Sequence, residues 1–130
     1  MIILLDTSTP ICQLIIVDDG GHRHEFSQNL DRQMARFILK FIEDSLASLG
    51  SGIRQISGIG ILKGPGSFTG LRIGVAVVNT IADNLAVPIV GEAGSPDWHD
   101  RVLNRLASGE NEKIVLPFYD RPVNITQPKK

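Results

Sequence analysis

The sequence predicts an α/β fold, in which helices pack on a mixed five-stranded sheet. Two features predict this class. Residues 2–28 contain three short strand-like segments joined by turn residues, which is typical of an antiparallel meander. From residue 30 to residue 90, two segments with helical periodicity alternate with two further apolar runs, which is typical of helices packed on a sheet.

The meander is predicted from its apolar runs and turns. The first strand spans Ile2–Leu5 and the second spans Ile11–Val17, because both runs are apolar and the turn-forming stretch Asp6–Pro10 separates them. Asp18–Gly21, which reads Asp-Asp-Gly-Gly, is a strong hairpin signal. A third strand is therefore expected over His22–Gln28.

Two helices are predicted over Leu30–Leu49 and Ser67–Leu85, where apolar residues recur three and four positions apart. The apolar runs Ile56–Leu62 and Pro88–Val90 are the predicted fourth and fifth strands. Helix and strand alternate here, so we expect both helices to pack on the sheet.

The composition changes after residue 91. A short helix is expected over Asp97–Ala107, with Ser95 as its cap and Pro96 at its first position. A last strand is expected over Ile114–Tyr119. The prolines near the C-terminus predict an extended, mobile end.

The composition also limits the function classes. With 130 residues, 42% hydrophobic and 21% charged, the chain fits one globular domain. A formal net charge of −1 argues against a free-standing nucleic-acid binder, which usually carries a basic surface. The single cysteine, Cys12, lies in an apolar run, and the opening run is too short for a signal peptide or a membrane span. A cytoplasmic protein without membrane contact is expected.

The run Lys63–Gly74, which reads Lys-Gly-Pro-Gly-Ser-Phe-Thr-Gly-Leu-Arg-Ile-Gly, joins a predicted strand to a predicted helix. Such a connection can aim backbone N–H groups at an anion. It is not a Walker A loop, because Leu71-Arg72 stand where Lys-Ser/Thr is required. The alternative is structural: Gly64 and Gly66 supply turn torsions, and Ser67 caps the helix.

This run resembles the TsaB family. The residues Gly64–Gly74 match the family almost literally, and Leu4–Thr9 at the N-terminus resembles it as well. The resemblance covers Met1 to about Glu92 and returns weakly at Leu116–Pro122. The family-motif residues are Gly64, Pro65, Gly66, Ser67, Phe68, Thr69, Gly70 and Arg72.

The resemblance implies one lobe of the actin-like, sugar-kinase-like (ASKHA) fold. TsaB proteins carry a second lobe after the position of Glu92, and this sequence departs from that pattern. The resemblance thus implies a shortened form, with the lobe at residues 1–93 and a short segment at residues 94–130 in place of the second lobe. Because the nucleotide cleft of this fold lies between two lobes, no cofactor is expected.

The resemblance also implies a function. TsaB is the scaffold subunit of the bacterial machinery that makes N6-threonylcarbamoyladenosine in tRNA, and it pairs with the catalytic subunit TsaD through the two helices. A non-catalytic subunit is expected, with a TsaD-like partner, a TsaE-like ATPase in the complex, and tRNA contact only through the complex. TsaD holds its metal with a His-x-x-x-His pair on the first helix. The equivalent stretch Asp31–Arg36 has no histidine, so no metal site is expected there.

Asp6, Thr7, Ser8 and Thr9 stand where kinases of this fold hold ATP phosphates. Those loops usually have glycine after the aspartate, because the backbone must approach the phosphate closely. Thr7 places a Cβ there, so the prediction is a vestigial phosphate loop held as a turn by local hydrogen bonds. An alternative stays open: a small nucleotide- or phosphate-binding enzyme of the same fold.

The first helix has more apolar surface than a sheet requires. On a helical wheel its apolar arc exceeds the ~100° stripe of a helix that lies on a sheet. The arc divides into two edges: one with Leu30, Met34, Phe37 and Phe41, the other with Ala35, Leu39, Ile42 and Leu46. We expect one edge to face the sheet and the other to face a partner.

The second helix carries Gly70 and Gly74 on one face, and small residues four apart allow another backbone to come close. Both helices together predict a protein–protein interface, with a homodimer through the same helices as an alternative to a TsaD-like partner. The predicted partner-binding residues are Met34, Ala35, Ile38, Leu39, Ile42, Leu46, Gly70, Gly74, Val77, Val78 and Ile81.

His22 and His24 share a face of the third strand, a spacing that can bind a metal ion. Because no third ligand is near in the sequence, a solvated strand edge is predicted instead. The paired acids at residues 18–19 and 43–44 fall in a turn and on a polar helix face, and neither pair resembles acid–base machinery.

Overall fold

The computed structural model describes residues 1–117. Within these residues the strands and helices follow the predicted order closely. No helix among them is long and apolar enough to cross a membrane. The elements are β1 (Ile2–Asp6), β2 (Ile11–Val17), β3 (Arg23–Asn29), α1 (Met34–Ser48), β4 (Gly58–Gly64), α2 (Phe68–Leu85), β5 (Ile89–Ala93) and α3 (Trp98–Ala107).

The five strands form one sheet in the order β3-β2-β1-β4-β5. β2 pairs antiparallel with both β1 and β3, so the predicted meander is confirmed. β4 pairs in parallel with β1, with Gly58 opposite Ile2, and in parallel with β5, with Ile59 opposite Ile89. α2 supplies the helical crossover that the parallel pair of β4 and β5 requires. The mixed five-stranded sheet is therefore confirmed.

Both faces of the sheet are covered, because successive side chains of a strand point to opposite faces. α1 and α2 cover one face, where Ile3 of β1 packs in a core with Ile38 and Val78. α3 covers the opposite face, where Leu4 of β1 packs in a second core with Val102. The lobe is thus a three-layer structure with one core on each side of its sheet.

The predicted first helix starts later than expected. Asp31–Gln33 forms a 3₁₀ turn before α1, and Asp31 has a φ of +44°, which a regular α-helix does not accept. The N–H groups of Leu30 and Asp31 both donate to the carbonyl oxygen of Pro10, at 3.0 and 3.1 Å. This turn is therefore tied to the β1–β2 connection.

α3 confirms the predicted helix at residues 97–107, but its predicted cap is wrong. The Ser95 hydroxyl donates to the Asp97 carboxylate at 2.8 Å and is not the N-cap, which is Asp97. The helix starts at Trp98, so Pro96 is not its first residue. α3 packs on β4 and β5 through Trp98 and Val102, so the segment after residue 93 shares a core with the sheet.

The predicted last strand at residues 114–119 is wrong over residues 114–117, which form no strand. Asn79 of α2 accounts for this. Its side-chain amide donates to the Val115 carbonyl oxygen and accepts from the Val115 N–H, both at 2.9 Å, so one side chain replaces a neighbouring strand. The remainder of that strand, most of the Leu116–Pro122 match and the proline-containing end lie outside the described residues.

The side chain of Asp18 holds the turn of the β2–β3 hairpin through hydrogen bonds. Its Oδ1 accepts the N–H groups of Gly20 at 3.0 Å and His22 at 2.9 Å. Its Oδ2 lies 3.0 Å from His24 Nε2, and His22 Nδ1 lies 3.3 Å from Oδ1. The hydrogen bond with His24, followed by that with the His22 backbone, lowers the pKa of the Asp18 carboxyl to about 2.

Asp18 gives the hairpin a pH dependence. Because its pKa is lowered on folding, its contribution to stability is present above the unfolded pKa and is lost as the pH falls through about 2. We expect the stability difference between wild type and Asp18→Asn to shrink between about pH 4 and pH 2. Urea unfolding of both proteins at pH 5, 3 and 2 measures this stability difference. A difference that stays constant over this range contradicts the role assigned to the Asp18 carboxylate.

Candidate functional site

The Asp6–Thr9 turn is held by its own side chains. Asp6 Oδ1 accepts the Ser8 N–H at 2.8 Å and the Ser8 hydroxyl at 2.6 Å. Thr7 is fully buried, and its hydroxyl has no hydrogen-bond partner among the described residues. The predicted local hydrogen bonds are present, and they engage both Asp6 and Ser8.

The glycine turn packs directly on that turn. The Ser67 N–H donates to the Ser8 carbonyl oxygen at 2.8 Å, and a Cβ added at Gly66 would lie 2.5 Å from Ser8 Cβ. Gly64 has a φ of +128°, which favours glycine, so its predicted turn torsion is confirmed. Gly66 has a φ of +159°, and glycine is required there also because the two turns approach each other closely.

α2 begins as its sequence predicts. The Ser67 hydroxyl accepts the Gly70 N–H at 3.2 Å and caps the helix, which starts at Phe68. The Arg72 guanidinium lies over the Phe68 ring, 5.1 Å from its centroid. Phe68 is 55% exposed, so this part of the family motif lies on the surface.

Gly70 and Gly74 face the inside of the chain. A Cβ at Gly70 would collide with the Thr7 carbonyl oxygen, and one at Gly74 would collide with the Thr7 hydroxyl and lie 2.7 Å from Thr7 Cγ2. The backbone that comes close to these small residues is thus the β1–β2 turn. Their placement on a partner-facing surface is corrected.

Most of the other residues predicted to contact a partner also lie in the core. The sheet-facing stripe of α1 runs between the two predicted edges and takes Met34 and Phe41 from one and Ile42 and Leu46 from the other. The assignment of one edge to the sheet and the other to a partner is therefore wrong. The predicted residues found buried are Met34, Ile38, Ile42, Leu46, Gly70, Gly74, Val78 and Ile81.

An apolar groove of about 750 Å³ lies between α1 and α2. The remaining predicted residues all line it, together with the buried Ile38 and Ile81. Ala35 is exposed and Leu39 is 46% exposed on the α1 side, and Val77 is half-buried on the α2 side. Glu43 and Arg54 add opposite charges to the lining. Such a groove offers apolar contact area together with polar groups that can fix a register.

The sequence reasoning missed several residues of this groove. Ala76 and Thr80 line it beside Val77, and a helical wheel of α2 places them on that face. Ile53 and Arg54 come from a short 3₁₀ turn, Ile53–Gln55, which no periodicity marks. The wheel could have found the first pair, and only tertiary packing brings in the second.

A cavity of about 320 Å³ lies on the α3 side of the sheet. Asp6, Arg23 and His99 are among its lining residues. Partial burial and the nearby positive charge of Arg23 lower the pKa of His99 below its ordinary value. Asp6 Oδ1 already accepts two hydrogen bonds from Ser8, and Arg23 pairs with Asp100 at 2.7 Å. Asp6 and Arg23 thus already have partners within the fold.

Two other candidate groups, the Cys12 thiol and the pair His22 and His24, are poorly suited to catalysis or metal binding. Cys12 is fully buried, and burial, with a smaller effect of the Asp6 carboxylate, raises the pKa of its thiol to about 12. A thiol of this kind is a poor nucleophile. Residues 1–117 hold no group of three His, Cys, Asp or Glu side chains arranged for a metal ion, and both His22 and His24 contact Asp18.

Comparison with known proteins gives consistent matches. The sequence model of the family described as "TsaD: tRNA N6-adenosine threonylcarbamoyltransferase" matches residues 26–93. The "tRNA threonylcarbamoyladenosine biosynthesis protein TsaB" of Haemophilus influenzae is 32% identical over 89 residues, which are 68% of this chain and 37% of that protein. The protein of the same name from Escherichia coli is 31% identical over 90 residues, which are 69% of this chain and 38% of that protein.

The fold gives a match of the same kind. "YeaZ from Pseudomonas aeruginosa" superposes with a TM-score of 0.68 at 26% identity, over 82% of this chain and 49% of that chain. This chain therefore spans less than half the length of the relatives named here. The mixed sheet, its meander and its helices are those of an ASKHA-type lobe. The chain belongs to the TsaB family, within the wider family that the TsaD model describes.

Proposed function

We propose that this chain is a non-catalytic scaffold subunit in the biosynthesis of N6-threonylcarbamoyladenosine in tRNA. It binds a TsaD-like catalytic subunit through the groove between α1 and α2. The names of its relatives support the pathway, and the family model that matches it supports the kind of partner. The observation that carries the docking site is the apolar groove with Leu39 exposed at its side.

The chemistry of the groove supports a protein partner. Leu39 and Ala35 form exposed apolar surface. Burying this surface against a partner is favourable by about 25 cal/mol per Å². Glu43 and Arg54 can pair with opposite charges of the partner and so set its orientation. A helical element that presents an apolar stripe with charged flanks fits this description.

Leu39→Asp is expected to weaken binding of the TsaD-like subunit by tenfold or more. The substitution places a carboxylate in the interface without a counter-charge, and burying it there costs about 2 kcal/mol or more. In the free chain the carboxylate stays in water, because Leu39 is 46% exposed. Calorimetric titration with the TsaD-like protein of the same genome measures the affinity, and circular dichroism checks the fold.

Phe37→Asp is the matched control. Phe37 is an exposed apolar residue of α1, 37% exposed, but it does not line the groove. Val78 is unsuitable for this test, because it is fully buried and a charge there disrupts the core. Equal affinities for wild type, Leu39→Asp and Phe37→Asp, with all three folded, would exclude the groove as the docking site.

The proposal has further parts. A TsaE-like ATPase joins the complex, and tRNA contacts this chain only through the complex, in agreement with its net charge of −1. In the absence of its partner the chain forms a homodimer through the same groove, which shields the apolar surface. The chain acts in the cytoplasm, where tRNA is modified. Size-exclusion chromatography of the chain, alone and with the TsaD-like protein, tests whether the homodimer is replaced by a complex with the TsaD-like protein.

The alternative is a small nucleotide- or phosphate-binding enzyme that uses Asp6. Against it, Asp6 and Ser8 bond each other, and the glycine turn packs on them. We expect Asp6→Asn to leave tRNA modification by the reconstituted complex within a few-fold of wild type, since an amide oxygen still accepts both bonds from Ser8. Calorimetry with ATP and magnesium on the isolated chain is the companion test. Loss of modification with normal partner binding would favour the enzyme.

A further inference from the structure

Within residues 1–117, no strand lies beside the outer side of β5. β5 stands at the end of the sheet order, so its inner side pairs with β4 and its other side faces outwards. The outward backbone groups are those of Ile89 and Gly91, which bond to residues outside the sheet. If such edge groups lost these partners, they would form a template on which a strand of another chain can pair.

Each of these outward groups has a partner in α3 or in the segment that follows it. The Ile89 N–H donates to Asn111 Oδ1 at 3.1 Å, and the Ile89 carbonyl oxygen accepts the Glu112 N–H at 2.9 Å. The Gly91 N–H donates to Glu112 Oε2 at 2.7 Å, and the Gly91 carbonyl oxygen accepts Arg105 Nη1 at 2.7 Å. We call Arg105, Asn111 and Glu112 the edge cap.

Arg105 holds the edge cap together. Its guanidinium donates to Glu112 Oε2 at 2.9 Å, to Glu92 Oε2 at 2.9 Å and to Glu110 Oε2 at 2.8 Å. Burial opposes its charge, but the hydrogen bonds to these carboxylates outweigh that effect and raise the pKa of Arg105 above its ordinary value. One charged side chain thus ties the segment 110–112 to the edge of the sheet.

The opposite edge of the sheet is protected differently. β3 carries Arg23 and Glu25, and charges on an edge strand discourage pairing with another chain. Within residues 1–117 no side chain hydrogen bonds to the β3 backbone. β5 begins Ile89-Val90-Gly91 and has no charge in this apolar stretch. The edge strand with an uncharged apolar stretch is therefore the one that side chains cover.

We propose that the edge cap prevents β5 from pairing with β5 of a second copy of this chain. A second copy is the occupant, because every copy presents the same edge and two antiparallel β5 strands form a self-complementary pair about a two-fold axis. The cap offers each outward group the bond that such a strand would offer. Its bonds come largely from side chains, so removing side chains opens the edge while the sheet remains.

The test removes Asn111 and Glu112 as acceptors. Asn111→Ala/Glu112→Ala is compared with Glu110→Ala, which loses a contact with Arg105 but none with the β5 backbone. All proteins carry Leu39→Asp, so that association through the α1–α2 groove does not contribute. Sedimentation velocity over a hundredfold range of concentration is expected to show dimers of the double variant only. A folded double variant that sediments like the Glu110→Ala control at every concentration overturns the proposal.

Hydrogen exchange provides a second readout. It uses a single variant and so does not require the double variant to fold. Asn111→Ala alone removes the acceptor of the Ile89 N–H and leaves the three other bonds of the edge in place. The Ile89 amide is expected to exchange roughly three- to tenfold faster in dilute solution, whereas the Ile59 amide of β4 is unchanged. On concentration the protection of Ile89 returns if a second β5 pairs with it. Unchanged exchange at Ile89 in dilute solution, or protection that stays lost on concentration, overturns the proposal.

Discussion

Gly70→Ala lowers the free energy of unfolding by about 1–3 kcal/mol, according to the packing around this residue. The new methyl group would collide with the Thr7 carbonyl oxygen. That oxygen belongs to the backbone of a turn that Asp6 and Ser8 hold from within, so it cannot move away cheaply. Helix propensity alone favours alanine by up to about 1 kcal/mol, so the sign of the change shows which effect dominates.

Urea unfolding followed by circular dichroism measures the effect. Gly52→Ala is the matched control, because a Cβ at Gly52 has no atom within 4 Å and its φ is −158°, which any residue accepts. We expect Gly52→Ala to unfold at the same urea concentration as wild type or at a slightly higher one. If Gly70→Ala is as stable as wild type but binds the TsaD-like subunit less well, Gly70 belongs to the interface and not to the turn contact.

The strands and helices could be predicted because their signals are local. Three signals act over a few residues and are found as predicted: the apolar run of β2, the hairpin residues at 18–21 and the Ser67 cap. The last strand failed for a non-local reason. Asn79 satisfies the backbone of Val115 from a distance of 36 residues in sequence, and no pattern near Val115 announces this.

The site could be predicted only in part. A helical wheel shows how much apolar surface a helix has, but not where the centre of its buried stripe lies. A shift of that centre placed Ile42 and Leu46 in the core and left Leu39 exposed. The glycines of α2 signalled a close approach correctly, and the partner in that approach, Thr7, is a residue of this chain. Tertiary packing decides both questions.

Gly60→Ala is the second substitution with a large expected effect. Gly60 lies in β4, and a Cβ there would collide with Val102 of α3 and lie 2.8 Å from Leu4 Cδ2. Val102 and Leu4 are both buried, so neither can turn into solvent. We expect α3 to move away from the sheet, at a cost of about 1–3 kcal/mol. Trp98, the single tryptophan, is 7% exposed at the start of α3, and its fluorescence should shift to longer wavelength.

Val102→Ala makes this assignment testable as a double-mutant cycle. Alone it leaves a cavity beneath α3 and destabilises the lobe. Combined with Gly60→Ala it provides the space that the new methyl group needs, so the two losses should not add, with a coupling of about 0.5–3 kcal/mol. Val90→Ala is the control, because Val90 lies in the same core and not among the atoms nearest that Cβ. Additive losses for Gly60→Ala and Val102→Ala would mean that the two positions do not interact and that α3 does not pack on Gly60 through Val102.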